Sequence, residues 1–370
     1  MIYIAKDIPL WQVTIWDKKF NNVDKKWQPK TIKYKYLLSD ELDSLRVDDG
    51  DVRILYTGKD VGFTTEELAG DRLSEGEIIS IPWGGIPTVK YHKGKFVTGD
   101  NRIATSKDIN KLTNKYLYYF MRGNIHEIAS YYRGASLKHP CMKDILKMTI
   151  SYPSVQEQDK ICGQFDVLEQ IIEVRKQELQ LLDDLIKARF VEMFNLSDCI
   201  YKSLGECTDF VDYRGHTPEL SDEGIIRMVN AKSVGKGFFK YVDEFVTEET
   251  YDAWMHRGFG YPGDILFVTE GHTFGNTCLI PEDMTKFALG QRVITIKGKE
   301  EIKNAFLCSY MQTDMFWKDI NVYRTGGTAQ GIRSKDLVKV MVPIPPIEQQ
   351  IEFVRFVHKF DKSKVVEIIN

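Results

Sequence analysis

Little in this sequence points to catalysis, secretion or a membrane. Its six cysteines (Cys141, Cys162, Cys199, Cys207, Cys278 and Cys308) include no Cys-x-x-Cys pair in 370 residues. That spacing argues against a disulfide framework or a zinc ligand set and fits reduced thiols. The seven histidines include no His-Glu-x-x-His and no i, i+4 pair, so no metal site is expected. No Gly-x-Ser-x-Gly elbow is present. No apolar run approaches the roughly 18 residues that cross a bilayer. The opening MIYIAKDIPLWQV lacks a basic stretch followed by an apolar core and a small-residue cleavage site, so no signal peptide is expected. Gly326-Gly-Thr-Ala-Gln-Gly331 has Ile332 where a phosphate-binding lysine would stand, and it precedes a short strand rather than a helix. Ile344-Pro345-Pro346-Ile347 lacks the acid or amide and the aromatic of an amino-methyltransferase motif. Glu301-Ile302-Lys303, with Asp283 upstream, is a carboxylate-x-Lys pattern common in charged loops. The expectation is a soluble, cytoplasmic, non-catalytic protein with no cofactor or metal of its own.

What is present is an ordinary globular composition with unevenly placed charge. Hydrophobic residues make up 43% of the chain, which excludes intrinsic disorder. The net charge of −3 excludes a uniformly basic nucleic-acid binder but not local segregation. Residues 83–147 hold 12 basic and four acidic side chains, whereas residues 155–195 hold five and nine, and residues 219–284 five and 12. Asp17–Lys35 adds seven lysines against two aspartates.

The strongest internal signal is a repeat of about half the chain. At an offset of 192, Lys143-Asp-Ile-Leu146 lies on Lys335-Asp-Leu-Val338, Pro153 on Pro345 and Gln158 on Gln350. Upstream, an offset of 190 aligns Asn101-Arg102-Ile103 with Gln291-Arg292-Val293, and 187 aligns Gly76-Glu-Ile-Ile79 with Gly263-Asp-Ile-Leu266. Each copy reads as short strands such as Ile265–Val268 and Ile294–Ile296, a helical patch (Lys115–Met121, Ala305–Trp317), a Gly-rich loop, a strand ending at Pro and a helix.

After the first copy, Ile161, Phe165, Leu168, Ile172, Arg175, Leu179, Leu182, Ile186, Arg189 and Met193 follow 4-3-4-3 spacing, the mark of a coiled-coil seam. Residues 155–195 then form a rod of roughly 60 Å at about 1.5 Å per residue. Phe353, Val357 and Phe360 occupy matching positions in the C-terminal segment, which stops 17 residues short of the first helix's extent. The expected class is α+β: two tandem-repeated mixed α/β domains separated by two long antiparallel coiled-coil helices. The boundaries are 1–153 for the first domain, 154–195 for the central helix, 196–345 for the second domain and 346–370 for the shortened C-terminal helix.

Two duplicated heads on a fixed spacer suit a bipartite linear target such as double-stranded DNA, as half-site spacing does in dimeric readers. Basic and amide side chains near aromatics are the candidate contacts. In the first copy these are Lys90, Tyr91, Lys93, Lys95, Arg102, Arg133, Lys138 and His139; in the second, Arg214, His272, Asn276, Arg292, Arg324, Gln330, Arg333 and Lys335. Lys and Arg supply the salt-dependent phosphate attraction, while Arg, Asn, Gln and His can read base edges. Trp83 and Tyr91 also suit a core role, and Arg102 and Arg292 a structural role at a strand edge. A protein-binding scaffold without DNA, or an enzyme in which recognition is fused to catalysis, are the alternatives.

The duplicated body, the Pro-x-x-x-x-Gln spacing (Pro153 to Gln158, Pro345 to Gln350) and the long heptad helix resemble the specificity subunit of Type I restriction-modification systems. Gly263-Asp-Ile-Leu266, Glu270-Gly271, Gln291-Arg292, the Gly326–Ser334 loop, Leu204-Gly205 and Gly215-His-Thr-Pro218 look like that family's target-recognition domain. The resemblance covers essentially the whole chain. It implies a non-catalytic DNA-reading subunit whose target-recognition domains each bind half of a split site. Its helices dock methyltransferase subunits, and motor-nuclease subunits complete the complex. S-adenosylmethionine, ATP and magnesium are expected only on those partners. The copies differ in places, with Ser154 standing where the second copy has Pro346, and Gln349 where the first has Glu157.

Overall fold

Leu10 and Leu204 begin the same piece of structure twice. The Leu10 N–H donates to the Met148 carbonyl at 2.8 Å and the Leu204 N–H to the Val340 carbonyl at 2.9 Å. One residue on, Trp11 reaches the Leu146 carbonyl and Gly205 that of Val338. Each starts a single helical turn, Leu10–Val13 or Leu204–Cys207. A threonine closes each turn: the hydroxyls of Thr14 and Thr208 donate to the carbonyls of Leu10 and Leu204, both at 2.6 Å. These bonds recur because the chain carries the same donors and acceptors twice, and buried backbone groups need partners.

The computed structural model describes residues 5–17, 32–58, 61–196, 199–213, 218–326 and 330–359. The chain divides into two units, Met1–Gln170 and Ile171–Asn370, each mixing helix and strand around its own core. The first holds a six-stranded sheet in the spatial order Thr14–Trp16, Asn101–Ser106, Ser74–Pro82, Lys90–Thr98, Val52–Leu55, Val61–Thr64. The second repeats the first four of these as Thr208–Asp212, Val293–Gly298, Ile265–Val268 and Thr277–Leu279. Its strands Phe245–Val246, Ile226–Val229 and Phe287–Leu289 form a separate three-stranded sheet, and Ile200–Ser203 pairs with Met341–Ile344 in another. All four residues of Ile265-Leu-Phe-Val268 are buried, which explains their unbroken apolar run: both faces of the strand are covered.

Strand register corrects the sequence alignment of the copies. Ser80 stands opposite Ile103, and Leu266 opposite Thr295. The offsets are 266 − 80 = 186 for one strand and 295 − 103 = 192 for the other, as the equivalent bonds of Asn114 to Glu77 and Ser106 and of Asn304 to Gly263 and Gly298 require. Arg102 consequently matches Ile294, not Arg292: Arg102 faces Ile81 and Ile294 faces Phe267. Loops of unequal length between the strands absorb the difference, and a short motif cannot reveal where they do so.

The long helix runs Val155–Met193. Its first turns pack on the helix Asn114–Gly123. Cys162 is buried there, Phe165 stacks on Tyr119 at 4.8 Å, and the Asp166 carboxylate takes Lys115 at 2.6 Å and the Tyr119 hydroxyl at 2.8 Å. Of the seam residues in this stretch, Leu168 remains 52% exposed. Near the other end, Ile186, Phe190 and Phe194 are buried. Phe190 and Phe194, which the 4-3 spacing omits, carry most of this contact: their rings lie 5.4 and 5.5 Å from that of Phe353 on the C-terminal helix Ile347–Val357. Arg189 meets Phe356 further along, and Val357 and His358 share a cavity with Asp183, Ile186 and Lys187. Contact order falls on one helix as it rises on the other, so the pair is antiparallel. Phe360 lies outside the described residues. The helical patch expected over Ala305–Trp317 is two helices, Asn304–Tyr310 and Asp314–Tyr323, the second capped by the Thr313 hydroxyl.

Two glutamines tie each helix to its own body. Gln158 and Gln350 are both 0% exposed. The Gln158 side-chain oxygen accepts from the Thr113 N–H at 2.8 Å, and its amide donates to the carbonyls of Lys111 (2.7 Å) and Pro153 (2.9 Å). Gln350 repeats all three bonds, with the Lys303 N–H at 2.9 Å and the carbonyls of Glu301 (3.0 Å) and Pro345 (2.8 Å). Gln350→Leu keeps the volume but strands one donor and two acceptors. At about 1–3 kcal/mol for each buried group left unpaired, the second unit is expected to lose several kcal/mol, read as a lower denaturant midpoint.

Candidate nucleic-acid interface

Each unit builds one end of its sheet from two loops that cross. In the second unit the crossing joins Thr269–Gly275 to Thr325 and Gln330–Ile332. The Gly271 N–H donates to the Gln330 carbonyl at 2.9 Å, the Ile332 N–H to the Thr269 carbonyl at 2.9 Å, and Thr325 and Gly331 bond to each other. Gly271, at φ 101°, takes a backbone conformation that side-chain-bearing residues rarely adopt. The loops enclose a pocket of about 540 Å³ lined by Glu270, His272, Arg292, Gln330 and Arg333 among others. His272, Arg292, Gln330 and Arg333 were candidates from sequence, and the fold brings them together from segments 20 to 60 residues apart. Arg324 joins them through a 3.3 Å bond from its guanidinium to the Gln330 side-chain oxygen. Arg292 is held by Glu270, Nε to Oε1 at 3.1 Å, with both side chains more than half exposed.

The other second-unit candidates lie apart from this grouping. Lys335 is exposed on the turn Ser334–Leu337. Asn276 is half-buried and its amide donates to the Val234 carbonyl at 3.1 Å, a bond within the fold. Arg214 lies outside the described residues.

In the first unit the equivalent crossing joins Trp83–Gly85 to Arg133–His139. The Trp83 N–H donates to the Asp100 carbonyl at 2.9 Å, as the Thr269 N–H does to that of Arg292 at 2.9 Å. The Gly85 N–H donates to the Lys138 carbonyl, the counterpart of the Gly271–Gln330 bond. Arg133 pairs with His139 as Thr325 does with Gly331. Arg133 and Lys138 are exposed here, while His139 is half-buried, its ring 5.3 Å from that of Trp83 and its Nδ1 at 2.7 Å from the Trp83 carbonyl. That contact makes Nδ1 the donor, so neutral His139 carries its proton there.

Four first-unit candidates already have partners within the fold. Arg102 is 1% exposed and pairs with Asp17 (3.0 Å) and Asp100, which leaves it unavailable to an incoming phosphate. Its guanidinium lies over the rings of Trp83 (4.8 Å) and Tyr36 (5.3 Å). Burial, reinforced by the Asp17 carboxylate, pushes the Tyr36 phenol well above its usual range. Lys90 donates to the carbonyls of Tyr56 and Gly58. The Tyr91 hydroxyl donates to Glu77 at 2.7 Å. Lys95 pairs with Glu66. Lys93 is exposed but stands opposite Glu77 on the neighbouring strand, well along the sheet from the loop end.

Sequence reasoning passed over the partners. Asp17 and Asp100 fix Arg102, and Asn114 and Asn304 repeat one another: each accepts from a strand N–H at 2.6 Å (Ser106, Gly298) and donates to a backbone carbonyl in or just before the neighbouring strand (Glu77, Gly263). Asn114 and Asn304 are 190 residues apart, next to an aligned Tyr116/Phe306 pair, so the repeat itself carried that signal. Among the described residues no group of His, Cys, Asp and Glu is placed to hold a metal ion, and no helix is long and apolar enough to cross a membrane.

Comparison with known proteins bears on the family and the fold. The chain is 25% identical over 280 residues to the Type I restriction enzyme EcoR124I/EcoR124II specificity subunit of Escherichia coli, a match covering 70% of the chain but 66% of that relative. It is 21% identical over 309 residues to the EcoDI specificity subunit of the same organism, covering 74% of the chain and 68% of the relative. The chain thus spans about two thirds of the length of these relatives, just under that in the first case. Among solved structures, a Type-I restriction-modification system S subunit from M. genitalium superposes with a TM-score of 0.54 at 16% identity, over 99% of this chain and 91% of that one, and so shares the fold. The family model for the Type I restriction modification DNA specificity domain matches residues 42–183 and 209–370, one match falling mainly in each duplicated body. The chain belongs to the Type I restriction modification DNA specificity family.

Proposed function

We propose that this chain is the non-catalytic, DNA-reading subunit of a restriction-modification enzyme and that each unit reads one half of a bipartite duplex site. The observation that carries this reading is the pair of equivalent loop crossings, each presenting basic side chains: Arg133 and Lys138 in one, His272, Arg292, Arg324 and Arg333 in the other. Rigid backbone pairing under flexible cations suits phosphate contact for register and base-edge contact for choice. The helices recruit methyltransferase and restriction motor-nuclease subunits, on which S-adenosylmethionine, ATP and magnesium reside.

Alanine at both Arg324 and Arg333 is expected to weaken duplex binding by roughly 1–3 kcal/mol per arginine that reads a base, and to lower the log–log salt slope by ~0.9 for each that neutralises a phosphate. Fluorescence anisotropy of the full chain on labelled duplex across a salt series measures both. Unchanged affinity and slope would remove the second unit from the interface. No salt-sensitive binding by the unsubstituted chain would favour a protein-only scaffold. Methylome sequencing of a host carrying the chain with a partner methyltransferase tests the split site directly.

A further inference from the structure

The two crossings solve one steric problem in opposite ways. The matching backbone bonds make Gly84 the equivalent of Glu270, and His139 the equivalent of Gly331. A Cβ built on Gly331 would stand 2.9 Å from the Glu270 Cβ, while one on Gly84 would stand 3.4 Å from His139 Nδ1. The crossings thus carry their large side chain on different loops: His139 opposite Gly84 in the first unit, and Glu270, which leaves no room for a side chain at Gly331, in the second.

Glu270 is the unexpected choice. Among the described residues lining its pocket it is the sole carboxylate, set beside Arg292, Arg333 and His272. A negative charge there works against phosphate binding. Its pairing with Arg292 is too exposed to add much stability. Its backbone, however, is fixed on both sides, through Thr269 to Arg292 and through the bridge to Gly331. A carboxylate offers about four acceptor positions, and the Arg292 bond occupies one of them. In the major groove such an acceptor meets one kind of partner, the exocyclic amino group of cytosine or adenine, and repels the keto oxygens of guanine and thymine.

We infer that Glu270 is the base-choosing side chain of the second unit: it demands an amino-bearing base at one position of that half-site and discourages attachment to phosphate alone. The inference rests on the DNA-reading assignment above. Rejecting wrong contacts through a misplaced charge is a recognised route to specificity.

The test is selection from a randomised duplex library with the full chain, unsubstituted and as Glu270→Ala, Glu270→Gln and Arg324→Ala/Arg333→Ala. The unsubstituted chain is expected to enrich two blocks of sequence with cytosine or adenine fixed at one position of one block, the enriched base saying which amino group is read. Glu270→Ala should relax that position alone, by roughly 5- to 150-fold in the ratio of preferred to wrong base, while binding to random duplex strengthens. Glu270→Gln, which keeps an acceptor and gains a donor, should favour adenine there. Melting temperatures close to that of the unsubstituted chain establish that the variants fold. Enriched blocks identical with and without the Glu270 substitutions overturn the inference; if the arginine pair still matters, the DNA-reading site survives. An unsubstituted chain that enriches nothing, or an arginine pair without effect, overturns both.

Discussion

Arg102→Met is expected to cost the first unit about 3–5 kcal/mol, because it removes the positive charge that offsets the buried Asp17 carboxylate. Asp17 is 0% exposed, with one oxygen on Arg102 and the other accepting the Ile103 N–H at 2.8 Å. The damage should be local. Hydrogen exchange followed by mass spectrometry is expected to show lost protection in the strand Asn101–Ser106 and unchanged protection in its counterpart Val293–Gly298. Adding Asp17→Leu to Arg102→Met should restore much of the loss, since an apolar pair removes the stranded charge that makes the single change costly. A single variant as stable as the unsubstituted chain would show that the pair is not buried in solution.

Phe190→Ala is the second large effect, at about 3–5 kcal/mol for emptying a packed phenyl position. Phe190 meets four rings, those of Phe194, Phe306, Tyr310 and Phe353, with centroids between 4.9 and 6.0 Å. It joins the long helix to the C-terminal helix and to the body of its own unit at once. Phe353→Ala removes a facing ring, so the double variant is expected to lose less than the sum of the two single losses. Denaturant unfolding of the four proteins measures the coupling; strict additivity would mean that the two rings do not share a site.

The two cases also show how far the sequence could be read. Duplication, the long helix, the strand at Ile265–Val268 and the family resemblance were all legible, because each leaves a local or periodic trace. The convergence of His272, Arg292, Gln330 and Arg333 was legible only as a set of residue types; their common pocket depends on a loop crossing that no periodicity announces. Arg102 could be read equally as a contact or as a structural residue, because nothing beside it in the chain decides burial and its partner Asp17 is 85 residues away. Phe190 and Phe194 were passed over for a subtler reason. They are apolar and helical, but their 4-4 spacing from Ile186 belongs to a helix lying across a globular body, whereas the 4-3 pattern belongs to two helices winding about each other. Both patterns coexist on this helix.

The paired glutamine ties have a consequence for handling the protein. They are neutral amide bonds sealed from solvent, so neither rising salt nor moderate acid acts on them, whereas the proposed grip on DNA is made of exposed cations that counterions displace. A concentrated salt wash is therefore expected to strip nucleic acid while each body stays locked to its own helix, a separation that urea, which attacks burial itself, would not achieve.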